Sequence, residues 1–568
     1  MWKCLGLLLA ACGLVLPTQA ASLTVTGSLD AQGRLLVRYE PPTGVRELPF
    51  WPPTPHGQEA WRQLMAEAGD ACTELGPSAL RIQPGCRAAT LRVRPRVLGA
   101  YATYEPAQPQ SDGSGVLLHT GHYAVLLPGT ELRWRWVAPH VLQRGRAHRA
   151  LVELRIPAAE VDQELQHSGW EQQKRIGIAE YVYLGRRAAE RQGPAWLALD
   201  GGLGAARAAF VRERLLGTLQ AYGQAYGRTL PHTGAVVVTL SESPGYHGDT
   251  TPGQMMRLRL PRDAATMSNE DFSHFIAHEV GHWWNKGLYS SDDAQPWLHE
   301  GHAEWMALVQ QTQEGQMTPA QMRARVQGAL NSCLAARGEM AMAALTGGRR
   351  DGTEYSCGLS LMQLAQALQT QRQPAAESPL RRLASLHAGS GHLDAARLVA
   401  WAEGDQPGAL GRLLNDRGQP FGAGFTQALQ ALELADVRPV DRSEELDELT
   451  RRTQAAHWVR RTMNMDCGGA ASYHGLRQGF KLETGPICKT LRLGQMAVAL
   501  QGLPLMERPL EAWDAVQAAC AQGDTIRVDY ADGPSSELAC SGEFPPRPLR
   551  VLVKLRPDAL QRWGIPAG

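Results

Sequence analysis

One pentapeptide constrains this chain more than any other feature: residues 278–282 read His-Glu-Val-Gly-His. In an α-helix, side chains at positions i and i+4 lie on the same face, so His278 and His282 can direct both imidazoles at one metal ion. Glu279 then lies beside that ion at a different angle around the helix, where it can accept a proton instead of binding metal. The pentapeptide therefore predicts a zinc site with a neighbouring general base.

The residues around the pentapeptide predict a buried helix. Ser268 followed three residues later by Asp271 is typical of a helix start. Apolar side chains then follow on more than one side of the helix: Phe272, Phe275, Ile276, Val280, Trp283 and Trp284. Polar groups inside such a helix cost about 1–3 kcal/mol each unless they are hydrogen-bonded or metal-bound. This burial argues against the competing interpretation, a helix with two incidental histidines.

A second predicted helix supplies the third metal ligand. It begins at Pro296, a residue favoured in the first turn, and continues with apolar residues around Glu300 and Glu304. A zinc ion with two histidine ligands needs a third protein ligand, and Glu300 is the expected one. The predicted centre is therefore one zinc ion bound by His278, His282 and Glu300.

Both segments resemble the gluzincin zinc metallopeptidases. Residues 278–285, His-Glu-Val-Gly-His-Trp-Trp-Asn, are similar to the HExxHxWN form of the glycyl aminopeptidase family. Residues 297–303, Trp-Leu-His-Glu-Gly-His-Ala, are similar to the WLxEGxA form of the alanyl-aminopeptidase-like family. The spacer from His282 to Glu300 is one residue shorter than the second family carries, which makes Glu304 the alternative third ligand.

The resemblance extends to Tyr355-Ser-Cys-Gly358, which is similar to a Tyr-x-x-Gly segment at a comparable distance in the second family. There the tyrosine hydroxyl stabilises the oxyanion of the tetrahedral intermediate, and a phenol donor in a dry site can contribute a few kcal/mol. The resemblance thus implies a catalytic role for Tyr355. A tyrosine that only caps or packs its helix is the alternative.

One segment departs from the family pattern. The exopeptidases carry a Gly-x-Met-Glu-Asn strand whose Glu binds the free amino terminus of the substrate, and residues 253–257 correspond to it here. The position of that Glu holds Met256. An aminopeptidase would therefore need another anchor for the amine, such as Glu304 or Asp292.

The length of 568 residues predicts about three or four domains, and the strand and helix patterns described next predict a multidomain α+β protein. Short alternating segments in residues 21–195 predict a β-rich N-terminal domain. Residues 196–435 are predicted to form a thermolysin-like zinc peptidase domain with an α/β upper lobe and a helical lower lobe. The charged residues 436–452 are interpreted as a linker, and residues 453–568 as a small α+β domain.

The pattern of this last domain resembles a PDZ domain. A strand, a Gly-Leu-Pro turn, a helix, a second strand and an Asp-Gly hairpin follow one another between Gly494 and Gly533. The glycyl aminopeptidase family also carries a PDZ domain at its C-terminus. An unrelated, disulfide-braced α+β module is the alternative.

The first twenty residues predict export. Lys3, the apolar residues 5–16 and a small-residue cleavage site ending at Ala20 are typical of a signal peptide. We therefore expect a periplasmic or secreted bacterial protein. Residues 9–12, Leu-Ala-Ala-Cys, also read as a lipobox, so a membrane-tethered lipoprotein with a lipid anchor at Cys12 is the alternative. No later stretch is apolar for long enough to span a bilayer.

Cysteine spacing agrees with export. Eight cysteines follow the predicted leader, and near-neighbour pairing in an oxidising compartment predicts four disulfides. The predicted pairs are Cys72–Cys86, Cys333–Cys357, Cys467–Cys488 and Cys520–Cys540. The formal charge is +1 without a basic stripe, which argues against nucleic acid as a partner.

The expected reaction is metal-assisted hydrolysis of a peptide or protein substrate. Zinc activates a water, Glu279 takes the proton of that water and passes it to the leaving amine, and zinc and Tyr355 share the oxyanion. Aminopeptidase-like cleavage is expected, and an endopeptidase is the alternative because Met256 replaces the amine anchor. A second alternative is a non-catalytic gluzincin-fold binding or adhesion protein with a PDZ-like module. His274 is expected to be a packed or surface histidine.

Overall fold

The computed structural model covers most of the chain beyond the predicted leader. It describes residues 21–51, 65–97, 104–166, 178–227, 230, 234–242, 246–251, 255–263, 267–285, 296–340, 353–373, 377–386, 393–405, 408–415, 420–467, 473–482, 488–540 and 550–565. The predicted signal peptide, the lipobox with Cys12, and Asp292 lie outside these residues.

The N-terminal region is β-rich, as predicted. Its main sheet has nine strands, with Ala21–Leu29 parallel to Thr130–Gln143 at the centre. The other strands of this sheet are Leu35–Glu40, Ala66–Ala68, Ala89–Val93, Ala107–Pro109, Gly115–His119, Arg146–Ile156 and Tyr181–Gly185. A three-stranded sheet (Glu47–Pro49, Thr73–Leu75, Ala79–Ile82) and a helix (Ala158–Leu165) complete the region. Alternating residues such as Leu35, Val37 and Tyr39 are fully buried, as expected for strands with one face on a core.

A second sheet of five strands positions the candidate site. The order is Glu190–Gln192, Ala195–Ala198, Gly234–Ser241, Met255–Pro261 and His247–Thr250. The three inner strands are parallel, and His247–Thr250, hereafter the edge strand, runs antiparallel at one side. Both Gly234–Ser241 and Met255–Pro261 are buried on both faces, which is why they read as continuous apolar runs in the sequence.

The two faces of this sheet contact different parts of the protein. Val236, Val238 and Leu258 point into a core shared with the helices. Ala235, Val237 and Met255 point into a smaller core shared with Leu117, Leu142, Tyr181 and Tyr183 of the N-terminal sheet. The sheet is therefore sandwiched between the helical half and the β-rich region.

The region from 269 to 431 is helical, as predicted. The helices are Asn269–Asn285, Pro296–Gln313, Pro319–Arg337, Thr353–Arg372, Pro379–Ser385, Ala395–Glu403, Ala409–Asn415 and Phe421–Ala431. Ala205–Ala225 is a further helix that packs against Asn269–Asn285. We refer below to Asn269–Asn285 as the His278 helix, to Pro296–Gln313 as the Glu300 helix, and to Thr353–Arg372 as the Tyr355 helix.

The stretch interpreted as a linker, 436–452, contains regular structure. Strand Ala435–Pro439 pairs with strand Val551–Leu555, a 3-10 turn follows at Ser443–Glu445, and a helix begins at Glu448. Val553 and Leu555 join the core of the helical half, and Trp563 packs edge-on against Trp305 at 5.2 Å. The linker interpretation missed this pairing because the strand's partner lies more than a hundred residues away. The domain limits themselves stay a prediction.

The predicted elements of the C-terminal region are present. Strands Met496–Leu500 and Thr525–Tyr530 flank helix Pro509–Ala521, and helix Glu448–Cys467 stacks Trp458 on Trp513 with ring centroids 3.9 Å apart. Further strands are Tyr473–Gly475, Phe480–Leu482, Leu503–Pro504 and Ser536–Ala539, and a short helix, Ala559–Arg562, follows strand Val551–Leu555. The likeness to a PDZ domain stays a prediction.

The four predicted disulfides are confirmed. The bonded pairs are Cys72–Cys86, Cys333–Cys357, Cys467–Cys488 and Cys520–Cys540. Such bonds fit an exported protein. No helix within the described part of the chain is both long enough and apolar enough to cross a membrane.

Candidate active site

The His278 helix brings the two motif histidines together. Its first turn is capped by the Ser268 hydroxyl, which accepts a hydrogen bond from the Asp271 backbone N–H at 3.0 Å. His278 and His282 follow one turn apart and are both buried, with 5% and 6% of their surfaces exposed. Their Nε2 atoms lie 3.1 Å apart. The helical spacing therefore directs both imidazoles at one point, as the sequence predicts.

Glu300 reaches the same point from the adjacent helix. Its Oε2 atom lies 3.3 Å from Nε2 of His278 and 3.3 Å from Nε2 of His282. Two bonds of 2.0–2.1 Å from a tetrahedral zinc ion span about 3.3 Å between their ligand atoms. Glu300 Oε2 is also fully buried and accepts no hydrogen bond of good geometry from the residues that the structure describes. The triangle of three atoms thus fits one shared cation better than a set of hydrogen bonds.

Glu304 lies on the other side of the His278 ring. Its Oε1 atom is 3.0 Å from Nδ1 of His278, while its Oε2 atom is 2.8 Å from Nε2 of His274. Nδ1 of His274 in turn lies 3.2 Å from Oε1 of Gln311. A carboxylate on the outer nitrogen orients a histidine for metal binding through the inner one. Glu304 is therefore placed to orient His278, and His274, expected to be a packed or surface histidine, is its partner.

Asn285 orients the second histidine. Its Nδ2 group donates a hydrogen bond to the His299 carbonyl at 3.1 Å, which turns Oδ1 towards Nδ1 of His282 at 3.3 Å. A proton on Nδ1, donated to this oxygen, would leave the lone pair of Nε2 free to bind a metal ion. The His299 ring also stacks on His282 at 4.3 Å. The sequence analysis did not assign these roles, although Asn285 is the last residue of the quoted HExxHxWN segment.

The charges of the site favour a cation. Burial lowers the pKa of His278, but the carboxylates of Glu304 and Glu300 outweigh burial and raise that pKa well above 6.5. Burial raises the pKa of Glu300, but His282 and His278 outweigh it and hold the pKa well below the usual value. The pKa of Glu304 is lowered in the same way, against burial, by His274 and His278. Two buried carboxylates that stay ionised beside these imidazoles stabilise a positive charge in the space between them.

Glu279 lies beside the two histidines and against the edge strand. Its side chain is buried, and burial raises the pKa of its carboxyl although His278 and His282 act to lower it. A raised pKa suits a group that takes and returns a proton. The carboxyl packs directly on Gly248, where an ideal Cβ would lie 2.1 Å from Glu279 Cδ.

Tyr355 stands in the first turn of its helix, next to the histidines. Its ring centroid lies 5.8 Å from that of His278, and 41% of its surface is exposed. Two residues later, Cys357 bonds to Cys333 of helix Pro319–Arg337. The structure thus brings Tyr355 near the predicted metal ligands, with part of its side chain accessible to solvent.

The segment compared with Gly-x-Met-Glu-Asn lies in an interior strand. Met256 and Arg257 belong to Met255–Pro261, which is covered on both sides by neighbouring strands. Met256 points towards the helices, and Arg257 points towards the N-terminal sheet. The outermost strand of the sheet next to Glu279 is instead the edge strand. Residues 253 and 254 lie outside the described set.

Comparison with known proteins shows a shared fold. No protein-family model and no curated protein sequence matches the chain. Among solved structures, it is similar to an aminopeptidase N family protein from Idiomarina loihiensis, with 14% sequence identity and a TM-score of 0.55. The similarity covers 96% of this chain and 100% of the other. At this identity it demonstrates a common architecture of the two chains.

Proposed function

We propose that this chain is an exported zinc-dependent peptidase with one metal ion bound by His278, His282 and Glu300. The observation that carries the proposal is the triangle formed by their two Nε2 atoms and one Oε2 atom, with edges of 3.1–3.3 Å. Two nitrogens and one carboxylate oxygen leave a fourth position for water, as in catalytic zinc sites. The architecture shared with an aminopeptidase N family protein suggests a peptide substrate.

The protein groups around this centre have separate tasks. When bound, zinc lowers the pKa of a water molecule and polarises the scissile carbonyl. Glu279 accepts the proton of the attacking water and delivers it to the leaving amine. The Tyr355 hydroxyl donates a hydrogen bond to the oxyanion. Glu304 and Asn285 keep both imidazoles in the tautomer that presents Nε2.

Aminopeptidase-like cleavage is the expected form of this activity, and endopeptidase cleavage is the alternative. One observation supports the endopeptidase alternative: both carboxylate oxygens of Glu304 already contact histidines. A carboxylate engaged in this way is poorly placed to bind the amino terminus of a substrate. Hydrolysis of matched peptides with free and N-acetylated termini separates the two forms, since equal rates rule out anchoring of the amine.

The deciding experiment compares the wild-type chain with Glu279→Gln. Wild-type protein, purified from an oxidising compartment, is expected to contain one zinc per chain and to cleave a peptide library. Glu279→Gln should keep its zinc and its Tm but lose turnover, because the amide cannot accept the proton. Glu444→Gln, at an exposed carboxylate, is the matched control and should be fully active.

Three results would contradict the proposal. Purified protein without stoichiometric zinc would contradict the proposed metal centre. Wild-type turnover in Glu279→Gln would contradict the role of Glu279 as general base. A chain that binds zinc but cleaves no peptide would point to the non-catalytic binding protein with a PDZ-like module.

A further inference from the structure

We infer that Gly248 is a positioning residue, which holds the carboxyl of Glu279 in place because it has no side chain. This inference rests on the proposed function, in which Glu279 is the general base. It assigns a role to the edge strand that does not depend on any contact with the substrate.

The register of the sheet places Gly248 against the site. In the edge strand, Gly248 pairs with Leu258 and Asp249 pairs with Arg257. Paired residues in neighbouring strands point to the same face of the sheet. Leu258 points into the helical core, so Gly248 faces the His278 helix. Asp249 faces the N-terminal sheet instead.

The space at Gly248 is occupied by Glu279. An ideal Cβ on Gly248 would lie 2.1 Å from Cδ, 2.4 Å from Oε1 and 2.5 Å from Cγ of Glu279. These three nearest atoms all belong to one carboxylate side chain. Gly248 does not have a positive φ, so its backbone conformation is open to any residue. The requirement for glycine at this position therefore comes from the neighbouring carboxyl.

The edge strand has little freedom to move away from a larger side chain. Asp249, the next residue, accepts a hydrogen bond from Arg257 Nη2 at 2.5 Å. Arg257 Nη1 donates in turn to Glu105 of the N-terminal region at 3.0 Å, and Arg259 also pairs with Glu105. These charged groups are at least 90% buried. The strand is thus bound on its far face, and the side chain of Glu279 is the group that must move.

Movement of Glu279 has a defined consequence. A misplacement of about 1 Å in a catalytic group can reduce the rate roughly 100-fold. Zinc would stay bound, because none of the three ligand atoms is among the nearest neighbours of the added methyl. The expected defect is therefore confined to the proton-transfer step.

The test is Gly248→Ala in the full-length, zinc-loaded protein. We expect kcat to fall by roughly 10- to 100-fold with KM and zinc content close to wild type. Gly217→Ala is the matched control, because an ideal Cβ there meets no atom of another described part of the chain within 4 Å, and it should keep wild-type activity. In the Glu279→Gln background, Gly248→Ala should add no further loss, since the two changes act through one group.

A crystal structure of Gly248→Ala gives a readout that does not depend on activity. We expect the Glu279 carboxyl to be displaced while His278, His282 and Glu300 keep their positions. A carboxyl that stays in place overturns the inference, and so does a displaced carboxyl with unchanged kcat. If the wild type cleaves no peptide, the proposed function fails. If Glu279→Gln is inactive but Gly248→Ala has wild-type kcat, only the role of Gly248 fails.

Discussion

Gly301 and Gly358 pack backbone against backbone where the Glu300 helix crosses the Tyr355 helix. An ideal Cβ on Gly301 would lie 2.1 Å from the carbonyl carbon of Gly358, and one on Gly358 would lie 2.0 Å from the Trp297 carbonyl oxygen. Two helices can approach this closely only where both residues lack side chains. Each glycine lies within one turn of a candidate site residue, so this contact sets the distance between Glu300 and Tyr355.

Gly358→Ala should therefore destabilise the protein. Alanine normally favours a helix over glycine, but here its methyl meets backbone atoms that cannot rotate away. We expect the free energy of unfolding to fall by about 1–3 kcal/mol, measured by urea denaturation. Gly217→Ala, in a helix with open space around the position, should instead be neutral or stabilising. A stable, fully active Gly358→Ala would show that the helices can separate without cost.

Tyr355→Phe tests the proposed oxyanion donor. Loss of the hydroxyl should lower kcat by about 100-fold while zinc affinity and Tm stay unchanged, because the phenyl ring is retained. Tyr473→Phe, in the C-terminal region, is a suitable control. Unchanged kcat would support the alternative from the sequence analysis, in which Tyr355 only caps or packs its helix.

Glu300→Gln and Glu304→Gln separate the two candidate ligands. Glu300 faces both Nε2 atoms, whereas Glu304 faces Nδ1 of His278. Loss of an orienting carboxylate lowers metal affinity by about 10- to 100-fold, and loss of a direct ligand should cost more. Competition titration with a zinc chelator measures the zinc affinity of each variant. A larger loss in Glu304→Gln would reverse the two assignments.

The raised pKa of His278 predicts how zinc affinity depends on pH. In the metal-free protein His278 stays protonated from pH 6.5 up to its raised pKa, and zinc must displace that proton. Affinity should therefore rise by roughly tenfold per pH unit in this window. The stability of the metal-free protein should change with pH in the opposite direction. The stabilising contribution of protonated His278 is complete below pH 6.5 and is lost as pH rises through the raised pKa. Zinc affinity and apoprotein Tm measured from pH 6 to 9 check both trends; a flat affinity profile would contradict the first.

Glu105→Gln should lower the free energy of unfolding. Glu105 is 1% exposed and pairs with both Arg257 and Arg259, which are fully buried. Removal of the Glu105 charge takes away the carboxylate that the two buried guanidinium groups share, and although Arg257 keeps its pair with Asp249, breaking a buried pair in this way costs about 3–5 kcal/mol. Glu444→Gln breaks an ion pair that is more than 70% exposed on both sides and should cost roughly 0–1 kcal/mol. Equal effects of the two substitutions on urea denaturation would contradict this ranking.

Much of the local structure could be predicted from the residues themselves. The helical period placed His278 and His282 on one face, alternation of apolar residues indicated the N-terminal strands, and near-neighbour spacing predicted all four disulfides. The expected third ligand, Glu300, also follows an identifiable helix start. Each of these features involves residues that lie close together in the sequence, so the sequence pattern alone is enough to predict it.

Other relationships depend on the tertiary structure. Three contacts join parts of the chain that are far apart in the sequence: Gly248 with Glu279, Glu105 with Arg257, and strand 435–439 with strand 551–555. Local periodicity carries no information about which face of one element meets another, and a one-residue change of register would turn Gly248 away from the site. The order of the residues thus determined which side chains could bind a metal, and the packing of sheet against helix decided which neighbours hold them in place.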